Sequence, residues 1–265
     1  MSDNVKSLLK SLPTKISTQA SRIILDYSSG SQELNEEILL LLLRSRSIKT
    51  IKNLILIFGQ TFQKFAVIQN TLNRLERELQ ESDLQRLKSL IKKILNTQNS
   101  RFEKLFKKFQ KKIFRGIKIL AFTNSYTCLK LFESIYKHRF DPGIYILHSN
   151  PGGEGKIFYR KLKEIGICSH LIPDERLEEI ISKIDIVIFG ADQIFPDHYI
   201  INKIGTGKIA SLARKYSKPV YVVSLKEKVI RQEQMKDKFQ VSIRKKDEQL
   251  FEKVKIDLIT EIFIA

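Results

Sequence analysis

Two hydrophobic periods divide the chain. From Val5 to about residue 115, apolar side chains recur at spacings of three and four, the mark of helices with one buried face. Ile51, Leu54, Ile55 and Phe58 form one such stripe, and Phe65, Ile68, Leu72 and Leu75 a second. Leu84, Leu87, Leu90, Ile91, Ile94 and Leu95 form a third. The run at residues 38–43, ILLLLL, follows Asn35-Glu36-Glu37 and reads as a buried helix. Glycine is confined to Gly30 and Gly59 here, and Pro13 is the only proline, so the pattern predicts a helical bundle.

From Gly116 the pattern shortens. Residues 117–122 (IKILAF), 143–147 (GIYIL), 168–172, 184–189 (IDIVIF) and 219–223 (PVYVV) read as buried strands. Between them, residues 127–138, 156–165, 175–183 and 206–216 read as helices. Strands alternating with helices predict an α/β domain with a mostly parallel, Rossmann-like sheet covered on both faces. Ligands of such sheets lie at the carboxyl ends of the strands. Three of those ends carry small polar residues or a carboxylate: Thr123-Asn124-Ser125, His148-Ser149-Asn150 and Gly190-Ala191-Asp192. The expected organisation is a helical domain over residues 1–115, ending in a connecting helix, and a ligand-binding domain over residues 116–265.

Composition narrows the classes. The longest apolar run is six residues, against the roughly 20 that a membrane span requires. Met1-Ser2-Asp3-Asn4 is not a charged leader before an apolar segment, so no secretory signal is expected. Cys128 and Cys168 make neither a disulfide framework nor a metal site, and a cytoplasmic setting is expected. The formal net charge is +18, and residues 1–115 hold 22 Lys and Arg against 10 Asp and Glu. Such a field attracts nucleic acid, acidic proteins or phosphorylated small molecules; a solvated basic face is the alternative. The most basic element, residues 101–115 (RFEKLFKKFQKKIFR), sets Phe102, Leu105, Phe106, Phe109 and Ile113 on one face. A helix of that kind packs its stripe on a core more often than it lies on a membrane or nucleic acid.

Three segments carry candidate chemistry. Asp192 ends an apolar strand, where partial desolvation favours general acid–base use, a helix cap or a bond to a ligand hydroxyl. Asn202-Lys203-Ile204-Gly205-Thr206-Gly207-Lys208 opens a helix with glycines and a lysine, a plausible phosphate cradle. Its spacing is neither the P-loop nor the dinucleotide fingerprint. Residues 149–155, SNPGGEG, join a strand to a helix and suit a second anion or a sugar hydroxyl, or are simply a loose turn.

Residues 190–206, GADQIFPDHYIINKIGT, resemble the signature of the initiation factor 2B alpha/beta/delta-like family, in which a strand ending Gly-Ala-Asp or Gly-Ala-Glu is followed by Asn-Lys-Ile-Gly-Thr. ILAFTNS (119–125), HSNPGGEG (148–155), KPVYVVS (218–224) and FEKVKIDLIT (251–260) follow in the family's order. In the helical part only DYSSGSQEL (26–34) and FAVIQN (65–70) are suggestive. The family includes methylthioribose-1-phosphate and ribose-1,5-bisphosphate isomerases, which use a cysteine after the first strand together with the aspartate. It also includes regulatory subunits that lack the cysteine, some of which bind sugar phosphates or nucleotides.

Here the cysteine position is Thr123, Cys128 lies five residues on, and the arginine of the family's Ser-Arg-Pro loop is Asn150. The usual Asn-Gly before the Asn-Lys segment is altered to Pro196-Asp197-His198. The resemblance therefore implies a regulatory or catalytically altered protein that binds a phosphorylated sugar or nucleotide. It implies that Lys203 and the turn around Gly205 and Thr206 hold phosphate and that Asp192 accepts from a ribose hydroxyl. Thr123, Asn124 and Ser125 line the opposite wall, and Asn150 and Asn202 complete the set. No metal or cofactor is implied, and a homodimer or an assembly of related subunits is expected. An aldose–ketose isomerase using Asp192 is the first alternative. A basic protein binding nucleic acid non-specifically, with no membrane partner, is the second.

Overall fold

Punctuation in the sequence sets the helices of the first half. The computed structural model describes residues 3–26, 29–63, 65–81, 83–196, 198–229 and 250–265; Tyr27, Ser28 and Asp197, which fall in the motifs above, lie outside them. Pro13 precedes α2 (Thr14–Leu25), after α1 (Asp3–Lys10), and Gly30 precedes α3 (Ser31–Arg44). α4 (Ile48–Thr61), α5 (Ala66–Glu81) and α6 (Leu84–Phe109) follow. Asp83 accepts a hydrogen bond from the Arg86 amide at 2.8 Å, capping the start of α6. The leucine run of α3 covers most of its circumference: Ile38, Leu39, Leu41 and Leu42 are buried and Leu40 is exposed. Ile51, Phe58, Ile68, Leu72 and Leu87 join them in one core.

By its contacts the chain forms two units, Met1–Ser100 and Arg101–Ala265. The second has the α/β architecture that the alternating pattern predicts. Its strands are β1 (Lys118–Phe122), β2 (Gly143–Leu147), β3 (Ser169–Ile172), β4 (Ile186–Phe189), β7 (Val220–Ser224) and β9 (Glu261–Ile264). They pair in the order β3-β2-β1-β4-β7-β9, every pair parallel. The helices are α7 (Tyr126–Lys137), α8 (Glu154–Glu164), α9 (Leu177–Lys183) and α10 (Thr206–Lys215). Alternate residues of β1 feed two cores: Ile119 and Ala121 face one, Leu120 and Phe122 the other. That is why the strands read as continuous apolar runs. The chain steps outward from β1 to β3, then returns to pair β4 with β1. The carboxyl ends of β1 and β4 therefore flank the point where the strand order reverses.

A second sheet departs from the sequence reading. β5 (Gln193–Phe195) and β6 (Tyr199–Lys203) form an antiparallel hairpin directly after β4, and β8 (Phe251–Lys255) pairs with β6. Strands of three to five residues interrupted by Pro196 are too short for a period to register.

The stripe at residues 102–113 belongs to the second unit. Phe102, Leu105, Phe106, Phe109 and Ile113 are buried in the core with β1, β7 and α7. Phe109 meets Tyr221 and Phe263 edge-on, with ring centroids 5.5 and 5.0 Å away, and Phe106 stacks on His138 at 4.1 Å. The polar face carries exposed ion pairs, including Lys112 with Glu261 at 2.8 Å. Among the described residues no helix is long and apolar enough to cross a membrane.

Candidate functional site

The ends of β1 and β4 touch. A Cβ on Gly190 would lie 2.4 Å from Ser125 Oγ, so only glycine lets the two strand ends close. Ser125 is committed to capping α7, where its side chain accepts from the Cys128 amide at 3.3 Å. Thr123 is buried with φ 74°, a left-handed conformation costly for a threonine. Asn124 lies between them, half-buried.

The β5–β6 hairpin explains how Asp192 and Lys203 come into one site. The Asp192 amide donates to the Ile201 carbonyl at 2.8 Å, and Gln193 pairs with Ile201. The turn of the hairpin thus brings Asn202 and Lys203 back beside the end of β4. Lys203 is nearly inaccessible, 3% exposed at its side chain, and its Nζ donates to Glu154 Oε1 at 2.8 Å. A lysine so buried requires such a partner. A Cβ on Gly152 would come within 2.9 Å of that Nζ, so the glycine loop before α8 closes over the lysine.

The motif after Lys203 builds the turn. Asn202 Nδ2 donates to Thr206 Oγ1 at 3.1 Å, and Thr206 Oγ1 donates to the Lys203 carbonyl at 2.6 Å. Gly205 adopts φ 99°, a left-handed conformation that strains any side chain, and packs against the Phe122 ring, which a Cβ would approach to 3.1 Å. Asn202 and Thr206 thereby hold Lys203 in place. The Gly207 amide, the part of the cradle at the start of α10, is taken by Glu252 Oε1 at 2.8 Å.

Asp192 has a second cation that the sequence reading did not single out. Lys228, just after β7, donates to the Ala191 carbonyl at 2.8 Å and stands 3.9 Å from Asp192 Oδ1. Burial pushes the Asp192 carboxyl up from its ordinary value, and the Glu154 charge adds to this; Lys228 and Lys203 oppose it. Four ionisable groups, two of each sign, therefore share one electrostatic environment. No spacing rule links Lys228 to Asp192, because strand pairing alone brings them together.

The loop after β2 is anchored from below. Asp174 accepts from the Ser149 and Asn150 amides, both at 2.9 Å, while the Asn150 residue is exposed. Ser149 Oγ and Ser224 Oγ, at the ends of β2 and β7, are buried without a hydrogen-bond partner among the described residues. Buried hydroxyls of this kind are free to bond a ligand or water. Cys128, inside α7, has its thiol pushed up to about 12 by burial, against smaller opposing effects of Ser125 and Lys228. Among the described residues no group of three or more His, Cys, Asp or Glu is placed to hold a metal ion.

The sequence profile of the initiation factor 2 subunit family matches residues 3–262. The chain is 27% identical to a ribose 1,5-bisphosphate isomerase of Archaeoglobus fulgidus over 160 residues, 59% of this chain and 51% of that protein. It is 28% identical to the translation initiation factor eIF2B subunit alpha of Caenorhabditis elegans over 114 residues, 43% and 37% of the two chains. The matched region thus spans about half the length of these curated relatives or less. Among solved structures, a 5-methylthioribose 1-phosphate isomerase of Pyrococcus horikoshii has a TM-score of 0.72 at 16% identity, covering 94% of this chain and 82% of that one. The translation initiation factor eIF-2B of the same organism has a TM-score of 0.65 at 20% identity, covering 95% of each chain. Those likenesses are of fold; the family profile, running nearly end to end, establishes that this chain belongs to the initiation factor 2 subunit family.

Proposed function

We propose that this chain is a regulatory-type member of the family that binds a phosphorylated sugar or nucleotide at the carboxyl ends of β1 and β4, where the strand order reverses. The observation that carries this reading is the hairpin that sets the buried Lys203 cation in the same environment as Asp192. Lys203 suits a phosphate oxygen, Asp192 a ribose hydroxyl, and the orphaned Ser149 and Ser224 hydroxyls further oxygens. Thr123, Asn124, Ser125 and Asn150 form the surrounding wall. Asn202, Gly205 and Thr206 serve by fixing the turn that carries Lys203. Thr123 at the position of the isomerases' cysteine, and a Cys128 thiol held near 12, argue against thiol chemistry.

Calorimetric titration with ribose 1-phosphate, ribose 1,5-bisphosphate, AMP and GMP tests the reading. One of these should bind, and Lys203→Met should weaken it by roughly 1.5–3 kcal/mol, the scale of a charge-assisted hydrogen bond. Equal affinity in a folded Lys203→Met protein removes the lysine from the site.

The raised Asp192 carboxyl favours one second reading, an aldose–ketose isomerase with Asp192 as acid–base group. Ketose product from ribose 1-phosphate or ribose 1,5-bisphosphate, seen by NMR and abolished by Asp192→Asn, would establish it. Relatives include a subunit of a tetrameric eIF2B-beta2-delta2 complex, so pairing with a second copy or related subunits in the cytoplasm fits the regulatory reading. Sedimentation at micromolar concentration measures the state of the isolated chain.

A further inference from the structure

Lys203 does not wait for a ligand with its charge exposed. Its ammonium is in contact with Glu154 at 2.8 Å, and 3% of its side chain is accessible. The asymmetry lies in the partner, because Glu154 is 30% exposed and is the first residue of α8. Lys203 is held by strand pairing, by the Thr206 hydroxyl on its carbonyl and by the Gly152 loop above its ammonium. Of the two, the glutamate is the one able to move. A carboxylate at the first position of a helix is stabilised by the free amides and positive end of that helix. Swung away from Lys203, Glu154 keeps a favourable setting at the start of α8.

We infer that Glu154 is a built-in competitor for the ligand's anionic group, occupying Lys203 until a stronger anion displaces it. This rests on the phosphate-binding reading of the same site and assigns its specificity. A neutral sugar gains nothing by displacing Glu154, and a weakly charged carboxylate gains no more than it removes. A phosphate monoester brings close to two negative charges at neutral pH and three acceptor oxygens, enough to take the lysine. Glu154 therefore sets a threshold among anions: a phosphomonoester passes it, a weaker anion such as a carboxylate does not, and a neutral ligand, which has no need of Lys203, is left unaffected.

Glu154→Gln tests this. Glutamine keeps the length and an oxygen that still accepts from Lys203, so the lysine is not stranded and the fold is retained, as a melting curve checks. Wild type and variant are titrated with AMP, GMP, ribose 1-phosphate and ribose 1,5-bisphosphate, and with adenosine as the neutral control. The variant should bind the phosphomonoesters at least about tenfold more tightly and leave any adenosine affinity within twofold. Binding of a phosphomonoester with equal affinity by both proteins overturns the competitor role and leaves the phosphate site standing. Equal tightening of adenosine also overturns it, because the gain would then not concern the anion. Failure of every phosphomonoester to bind either protein overturns the phosphate-binding reading itself.

Discussion

Gly155 faces the Leu147 carbonyl so closely that a Cβ at that position would lie 1.7 Å from its oxygen. β2 and α8 therefore meet at a distance that excludes every side chain, next to the residue that holds Lys203. Gly155→Ala forces the first turn of α8 away from β2 and carries Glu154 with it. It should destabilise the protein by about 1–3 kcal/mol or more, the cost of forcing an extra carbon into closed packing. Urea denaturation against wild type measures this; a loss within about 0.5 kcal/mol, the scatter of surface changes, would mean the approach is looser than described.

Phe109 is fully buried between Tyr221 and Phe263, whereas Lys104 and Lys107 on the same helix are exposed. Phe109→Ala should cost about 3–5 kcal/mol, and Lys107→Ala under about 0.5 kcal/mol. Because the apolar face is spent on the core, only lysines and arginines remain for nucleic acid. Binding of a fluorescent RNA should then be weak, indifferent to sequence and steeply salt-dependent. Tight, sequence-selective binding at about 200 mM salt would contradict that.

The long elements were legible because each satisfies one period over several turns or a full strand. β2 has the bounds the pattern gives, and α7 and α10 each lie within one residue of them at either end. The β5–β6 hairpin was not legible, since Gln193–Phe195 is three residues and alternation needs more. Asp192 and Lys203 could be picked out as a strand-end carboxylate and a glycine-flanked lysine. Their shared environment could not, because the hairpin creates it. Glu154, Glu252, Asp174 and Lys228 could not be assigned partners from sequence either. Each is a charged residue in a chain rich in charge, and only tertiary pairing separates them from solvated neighbours.

Cys168 is exposed and Cys128 is buried with its thiol up at about 12. A disulfide reagent at neutral pH should therefore titrate one thiol per native chain. The second should appear only on unfolding in denaturant, since thiolate is the reacting form. Rapid modification of both in the native protein would reopen thiol chemistry at the end of β1. Cys128→Ser should leave ligand binding within twofold of wild type.

Asp192 gives the site a pH signature whose sign follows from its raised carboxyl. Burial is the largest cause and the Glu154 charge adds to it, while Lys228 at 3.9 Å and Lys203 work the other way. A carboxyl raised in the folded state favours folding most when protonated. Its contribution is present below the ordinary carboxylate value of about 3.9 and is lost as the pH rises through the raised one. Above the ordinary carboxylate value folding therefore works against the ionised form of Asp192, a cost that Asp192→Asn removes. The variant should melt higher than wild type at about pH 8 and gain nothing at about pH 3, where the wild-type carboxyl is already neutral. Calorimetric scans at the two values decide it. A lower melting temperature at pH 8 would mean that attraction to Lys228 and Lys203 outweighs desolvation, and Asp192 would then be a fixed anion rather than a group poised to take a proton.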